Sequence, residues 1–101
     1  MKRPELTGLF LWYYMRIDKY LKITRLVKRR SVGKELCDNH KIVVNDKFVK
    51  GSYEVKVDDV IQILFGSRKT IVKVTDIKEV VKKEDVGSLY DLLGVERIGD
   101  D

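Results

Sequence analysis

The spacing of apolar residues changes once along this chain, near residue 40, and that change restricts the fold more than any other feature. Ile17, Tyr20, Leu21 and Thr24 recur at the helical period, which gathers them into an arc of about 100° and predicts a first helix over about 16–27. Lys19 and Lys22 then project from the opposite side, with Arg16 and Arg25 on the flanks, and Asp18 is within reach of Lys22 one turn on. Ser31 is a suitable N-cap for a second helix ending near Asn39. That helix would turn Val32, Gly33, Leu36 and Cys37 inward and Lys34, Glu35 and Asp38 outward.

Beyond residue 40 the period is two. Ile42 and Val44 alternate before Asn45-Asp46, a pair able to take the left-handed conformation of a tight hairpin, with Lys47 to Val49 returning. Val60 to Phe65 reads as a continuous apolar strand, turned by Gly66-Ser67 into a further strand from Lys69 to about Ile77. Val86, Leu89, Tyr90 and Leu93 fall at i, i+3, i+4 and i+7, which predicts a short last helix with Glu84 and Asp85 at its start and Gly94 as its stop. The expected fold class is therefore α+β, two N-terminal helices packed on a small antiparallel sheet plus a short C-terminal helix.

Charge is segregated along this order. Residues 16–50 hold 11 basic and 4 acidic side chains, whereas residues 76–101 hold 4 basic and 8 acidic. A net charge of +5 thus conceals a basic end that concentrates polyanions and an acidic tail that they would repel. Lys28, Arg29 and Arg30 lie immediately before the second helix, where the helix dipole favours anions. Three adjacent cations there break a local folding rule, and such violations are expected where a ligand supplies the compensation. A helix start flanked by cations receives phosphate well. Structured RNA fits this pattern better than a DNA groove, because Glu35 and Asp38 on the outer face of the second helix would read bases poorly.

Other classes are disfavoured. The longest apolar run, Leu9–Met15, has seven residues, against the roughly 18 that a membrane span requires. Cys37 has no second cysteine to pair with and His40 is the single histidine, so the chain reads as a protein of the reducing cytoplasm, without a metal site or cofactor. No nucleophile with a base, no carboxylate pair in a cleft and no phosphate-cradling glycine loop is legible, so no enzymatic activity is expected.

The runs Arg16-Ile17-Asp18-Lys19-Tyr20-Leu21, Arg29-Arg30-Ser31, Ile42-Val43-Val44-Asn45 and Asp59-Val60-Ile61 resemble the S4 RNA-binding domain, over about residues 15–65. Within that superfamily the likeness continues through Phe65-Gly66 and Leu89-Tyr90-Asp91-Leu92-Leu93 to the small bacterial ribosome-associated quality-control factors, relatives of the fifteen-kilodalton heat-shock protein. The resemblance implies binding, as a monomer off the ribosome, to a large subunit obstructed by peptidyl-tRNA, with contacts to ribosomal RNA and tRNA. It also implies support of C-terminal tailing of the stalled chain by a partner factor.

By the same resemblance Arg16 and Arg30 match RNA-contacting positions, and Asp18 matches the acidic position that orders the first helix. Lys19, Lys22, Arg25, Lys28, Arg29, Ser31 and Lys34 are further RNA-contact candidates, on charge and face. Replacing Arg16 and Arg30 together by alanine is expected to abolish most association with large subunits, with the melting temperature nearly unchanged. Heat-shock-type recycling of stalled subunits, or a protein-interaction module using the acidic last helix, are the alternatives.

The chain departs from the family pattern at His40, Asp46 and Asp58, which stand where glycine is common, and at Gly33, which stands where alanine is common. Histidine and aspartate are among the residues that best tolerate positive φ, so the three turns should survive. Gly33 should weaken its helix unless a close backbone approach requires it. Residues 66–101 are expected to complete the same domain. Residues 1–14 have no counterpart in the resemblance; they read as a start upstream of the native one, or else as an apolar addition built on Leu9, Phe10, Leu11 and Trp12.

Overall fold

A computed structural model describes residues 15–78 and 82–98; the expectation for residues 1–14 lies outside this range. Strand β1 (Met15–Arg16) leads into helix α1 (Ile17–Ile23), followed by α2 (Arg30–Asp38), β2 (Ile42–Val44), β3 (Lys47–Phe48), β4 (Glu54–Val55), β5 (Val60–Phe65) and β6 (Arg68–Val74). A 3-10 helix at Lys83–Leu89 then hands over to β7 (Tyr90–Arg97). The main sheet is antiparallel, in the order β3-β2-β5-β6-β7, and β1 pairs separately with β4. The fold is α+β, with two helices packed on one face of a small sheet.

The predicted arc of α1 is its buried face: Ile17, Tyr20, Leu21 and Thr24 are all buried. They meet Ile42, Val44, Ile61, Ile63, Val72 and Val74 from the sheet, and a buried side chain of this size contributes about 1.5–3 kcal/mol relative to an exposed one. The helix is shorter than its periodicity suggests. The Thr24 hydroxyl donates back to the carbonyls of Tyr20 (2.8 Å) and Leu21 (3.2 Å), and Arg25 turns to φ 64°, so the chain leaves the axis before residue 27. Glycine usually marks such a left-handed helix end; an arginine there gives no warning.

Helix α2 begins two residues earlier than expected. Arg29 is its N-cap residue, Arg30 its first helical residue, and no side chain caps it, so Ser31 lies inside the first turn. Gly33 is where α2 crosses α1: a Cβ there would lie 3.4 Å from the Asp18 carbonyl oxygen and 3.5 Å from Leu21. The close approach explains why a glycine occupies a helix interior.

The turns form as the sequence predicts. His40, Asn45, Asp46 and Asp58 have φ of 60°, 50°, 72° and 81°, the left-handed region their side chains tolerate best. One corner is knitted by the buried carboxylate of Asp59, which accepts from Asn45 Nδ2 (3.0 Å), the Tyr53 hydroxyl (2.8 Å) and the Lys56 amide (2.9 Å).

The C-terminal segment differs most from expectation. The helical pattern at Val86, Leu89, Tyr90 and Leu93 becomes a 3-10 helix over its first half and strand β7 over its second. Strand β7 pairs with β6 from Val74↔Tyr90 to Arg68↔Arg97, with a register shift between Ile71 and Val72. That irregularity falls beside Leu93 and Gly94, so Gly94 sits within the strand and does not stop a helix. Leu89 is buried, and its carbonyl accepts a 2.7 Å hydrogen bond from the Tyr20 hydroxyl. Burial raises the pKa of that phenol well above its usual value, with smaller contributions from Tyr90 and Asp76.

Candidate nucleic-acid interface at the paired helix starts

The first residues of α1 and α2 meet around one buried carboxylate. Asp18, 2% exposed, is the second residue of α1. Its backbone amide donates to the Gly51 carbonyl at 3.3 Å, and the Ile17 amide donates to the Tyr53 carbonyl at 2.8 Å. The carboxylate receives Arg16 from the strand before it: Nε lies 3.3 Å from Oδ1 and an Nη nitrogen 3.0 Å from Oδ2. Arg30 approaches from the start of α2, with Nε 3.0 Å from Oδ1. Sequence spacing favours Lys22 as the partner of Asp18; the structure gives it Arg16 and Arg30, because Asp18 faces α2 and the exposed Lys22 does not.

Burial alone would raise the Asp18 carboxyl, but the hydrogen bonds and charges of Arg16 and Arg30 outweigh it and hold the group below its ordinary value of 3.8. The two arginines remain about half exposed, at 46% and 50% of their side chains. Each guanidinium has five N–H donors, and the carboxylate engages two from Arg16 and one from Arg30. The rest are directed by a fixed anchor and left available to an anion from outside. Planar guanidinium forks of this kind suit phosphate oxygens.

Arg16, Asp18, Arg30, Ser31 and Lys34 line a shallow, wide-mouthed depression of about 360 Å³. Lys34 reaches its rim while holding Asp38 at 3.1 Å, an exposed pair of the i,i+4 kind. Lys28 and Arg29 adjoin Arg30 in the connection between the helices and are exposed. Lys19 is half-buried on α1, Lys22 is exposed in its last turn, and Arg25 lies beyond its end; these three do not line the depression. The crowding of cations at the start of α2 is thus partly relieved from within the chain, since Asp18 offsets Arg30, and α2 has no acidic residue in its own first turn.

Gly51, which sequence reasoning missed, closes the back of the site. A Cβ there would lie 3.1 Å from Asp18 Oδ2 and 3.4 Å from the Lys34 Cα, so the loop after β3 rests directly on both. No spacing in the sequence announces this, because the contact joins residues 33 positions apart.

The S4 domain family matches residues 15–61, the stretch that supplies every residue of this site. The fold is also that of heat shock protein 15 from Vibrio cholerae, known from a trimeric structure, with a TM-score of 0.74 at 22% identity over 79% of this chain and 82% of that one. These likenesses and the helix-start geometry define the class: an S4-domain protein of the heat shock protein 15 fold.

The sequence relatives are more particular. The chain is 43% identical to the RQC P-site tRNA stabilizing factor of Streptococcus pneumoniae over 84 residues, 83% of this chain and 96% of that protein. It is 38% identical to the factor of the same name from Bacillus subtilis over 86 residues, 85% of this chain and 100% of that protein. The chain belongs to the family of RQC P-site tRNA stabilizing factors.

Proposed function

We propose that this protein is a non-catalytic RNA-binding factor of cytoplasmic ribosome quality control. It binds large ribosomal subunits obstructed by peptidyl-tRNA, steadies the P-site tRNA through contacts to tRNA and ribosomal RNA, and so supports C-terminal tailing of the stalled chain by a partner factor. The observation that carries this reading is the Arg16–Asp18–Arg30 cluster, in which a buried carboxylate aims two half-exposed guanidinium groups outward. A surface ion pair made only for stability would contribute about 0–1 kcal/mol, which is little reason to bury its anion. A pair that pre-orients phosphate donors gains more, because the ordering cost is met before RNA arrives. Lys28, Arg29, Ser31 and Lys34 extend the contact beside the cluster, and Lys19, Lys22 and Arg25 add long-range attraction along α1. The family relation supports the tRNA assignment, through the name its members carry.

Binding of the purified protein to large subunits carrying peptidyl-tRNA, across a salt series, tests the proposal. With about six phosphates neutralised, the log-log slope should lie near −4 to −5. Arg16→Ala with Arg30→Ala should cost about a hundredfold or more in affinity, since each charge-assisted hydrogen-bonding group contributes about 1.5–3 kcal/mol. The ion pairs to Asp18 argue for a cost in stability as well. Removing both arginines strands the Asp18 carboxylate, at a cost of about 1–3 kcal/mol, so the melting temperature should fall by roughly 5–15 °C. Salt-independent binding, or a folded double variant that binds like the wild type, would overturn the proposal. Co-purification with peptidyl-tRNA subunits but without a tailing partner would favour subunit recycling.

A further inference from the structure

At the hairpin end of the sheet an aromatic pair stands in the open. His40, just beyond α2, and Phe48, at the end of β3, meet edge to face with ring centroids 5.0 Å apart and an interplanar angle of 86°. Both are exposed, and Phe48 leaves 57% of its surface to solvent. Phe48 stands opposite Val43, whose neighbours Ile42 and Val44 face the core, so its ring projects from the other side of the strand and adds nothing to the core.

His40 occupies a left-handed turn, φ 60°, which glycine, asparagine or aspartate would also serve; beyond the turn, its ring packs against Phe48. Lys41 follows His40 in the chain, and Lys47 and Lys50 flank Phe48; all three are exposed and without an ion-pair partner among the described residues. Along the chain the strip leads to the loop that backs the phosphate site. Lys50 precedes Gly51, whose backbone rests against Lys34 and Asp18.

We propose that the Phe48 ring, braced by His40, is a stacking platform for one unpaired RNA base, with Lys41, Lys47 and Lys50 holding the flanking phosphates. An exposed aromatic interleaved with free cations is how proteins hold single-stranded nucleic acid, because every base has a π face. Arg16 and Arg30 would read the backbone, and the hairpin would require a looped-out or unpaired nucleotide beside it. This rests on the RNA-binding reading above and adds the class of RNA element to it.

Two RNAs separate the ideas: a hairpin whose loop carries unpaired adenines and one 2-aminopurine, and a blunt duplex of the same stem, each titrated with the full chain at low ionic strength. The wild type should change the 2-aminopurine fluorescence of the loop. Phe48→Leu should abolish that change and weaken loop binding by about 5- to 20-fold, the lower part of the range for one lost base stack because leucine keeps some apolar contact, with duplex binding altered by less than about twofold. Phe48→Tyr should restore both. His40→Asn keeps a residue suited to positive φ and removes only the brace, so a smaller loss confined to the loop RNA is expected. Equal binding of loop RNA by wild type and Phe48→Leu overturns the platform, as does an equal loss on both RNAs. If the wild type binds neither RNA, the RNA-binding reading itself fails and the platform falls with it.

Discussion

Two aspartates are buried among the described residues, and their surroundings differ in kind. Asp59 is enclosed by Asn45, Tyr53 and the Lys56 amide. Two of these donors have no charge and the third is backbone, and all are spent inside one corner of the sheet. Its neighbour Tyr53 is held above the usual phenol range by burial and then by the hydrogen bond to that carboxylate. Asp18 is buried as deeply, but its side-chain partners are two arginines that keep half their surface in water. Burial of a carboxylate therefore does not itself mark a binding site. The mark is a buried anion whose partners retain unused donors facing solvent.

The contrast can be broken or sharpened by substitution. The largest effect on stability belongs to Asp59→Ala, which orphans three donors in the sheet corner and should cost about 2–4 kcal/mol by chemical denaturation. RNA affinity, measured on the folded fraction, should be unchanged; a loss comparable to that of the arginine variants would dissolve the distinction between the two acids.

Asp18→Asn comes next, at about 1–2 kcal/mol. It adds one positive charge to a basic surface, yet affinity for RNA should drop by about 3- to 10-fold because the guanidinium groups lose their anchor. A gain in affinity would mean that the arginines act only as charge. The same variant has a pH signature. The Asp18 carboxyl is depressed in the fold, so its contribution is complete above the ordinary value of 3.8 and is lost as pH falls through the lower, folded value. Denaturation curves over the acid range should be flatter for Asp18→Asn than for the wild type.

Gly51→Ala is the mildest test. Its methyl group would press on Asp18 Oδ2 at 3.1 Å and on Lys34, costing about 1 kcal/mol with a small loss of affinity.

Much of this was legible in the sequence wherever one residue type has one physical reason to be where it is. The inward arc of α1, the bounds of β5 and the left-handed turns at His40, Asp46 and Asp58 follow from period and φ tolerance. Legibility failed where the deciding contact is distant or the local signal is ambiguous. Asp18 chose Arg30, 12 positions away, over Lys22 at four. Arg25 ended α1 without the glycine that usually announces such an end. Leu89, Tyr90 and Leu93 fit a helix by spacing alone, yet the open edge of β6 offered a full ladder of backbone partners and drew residues 90–97 into the sheet. The pairing of β1 with β4 left no trace in either segment, each being two residues long.

The hydrogen bond from Tyr20 to the Leu89 carbonyl spans 69 positions and joins the helix that carries Asp18 to the last structured turn before β7. A chain cut after β6 would leave that phenol without its acceptor and expose the flank of Val72 and Val74. The segment from Leu89 onward supplies none of the residues of the proposed RNA face, yet through this bond it is tied to the helix that carries Asp18.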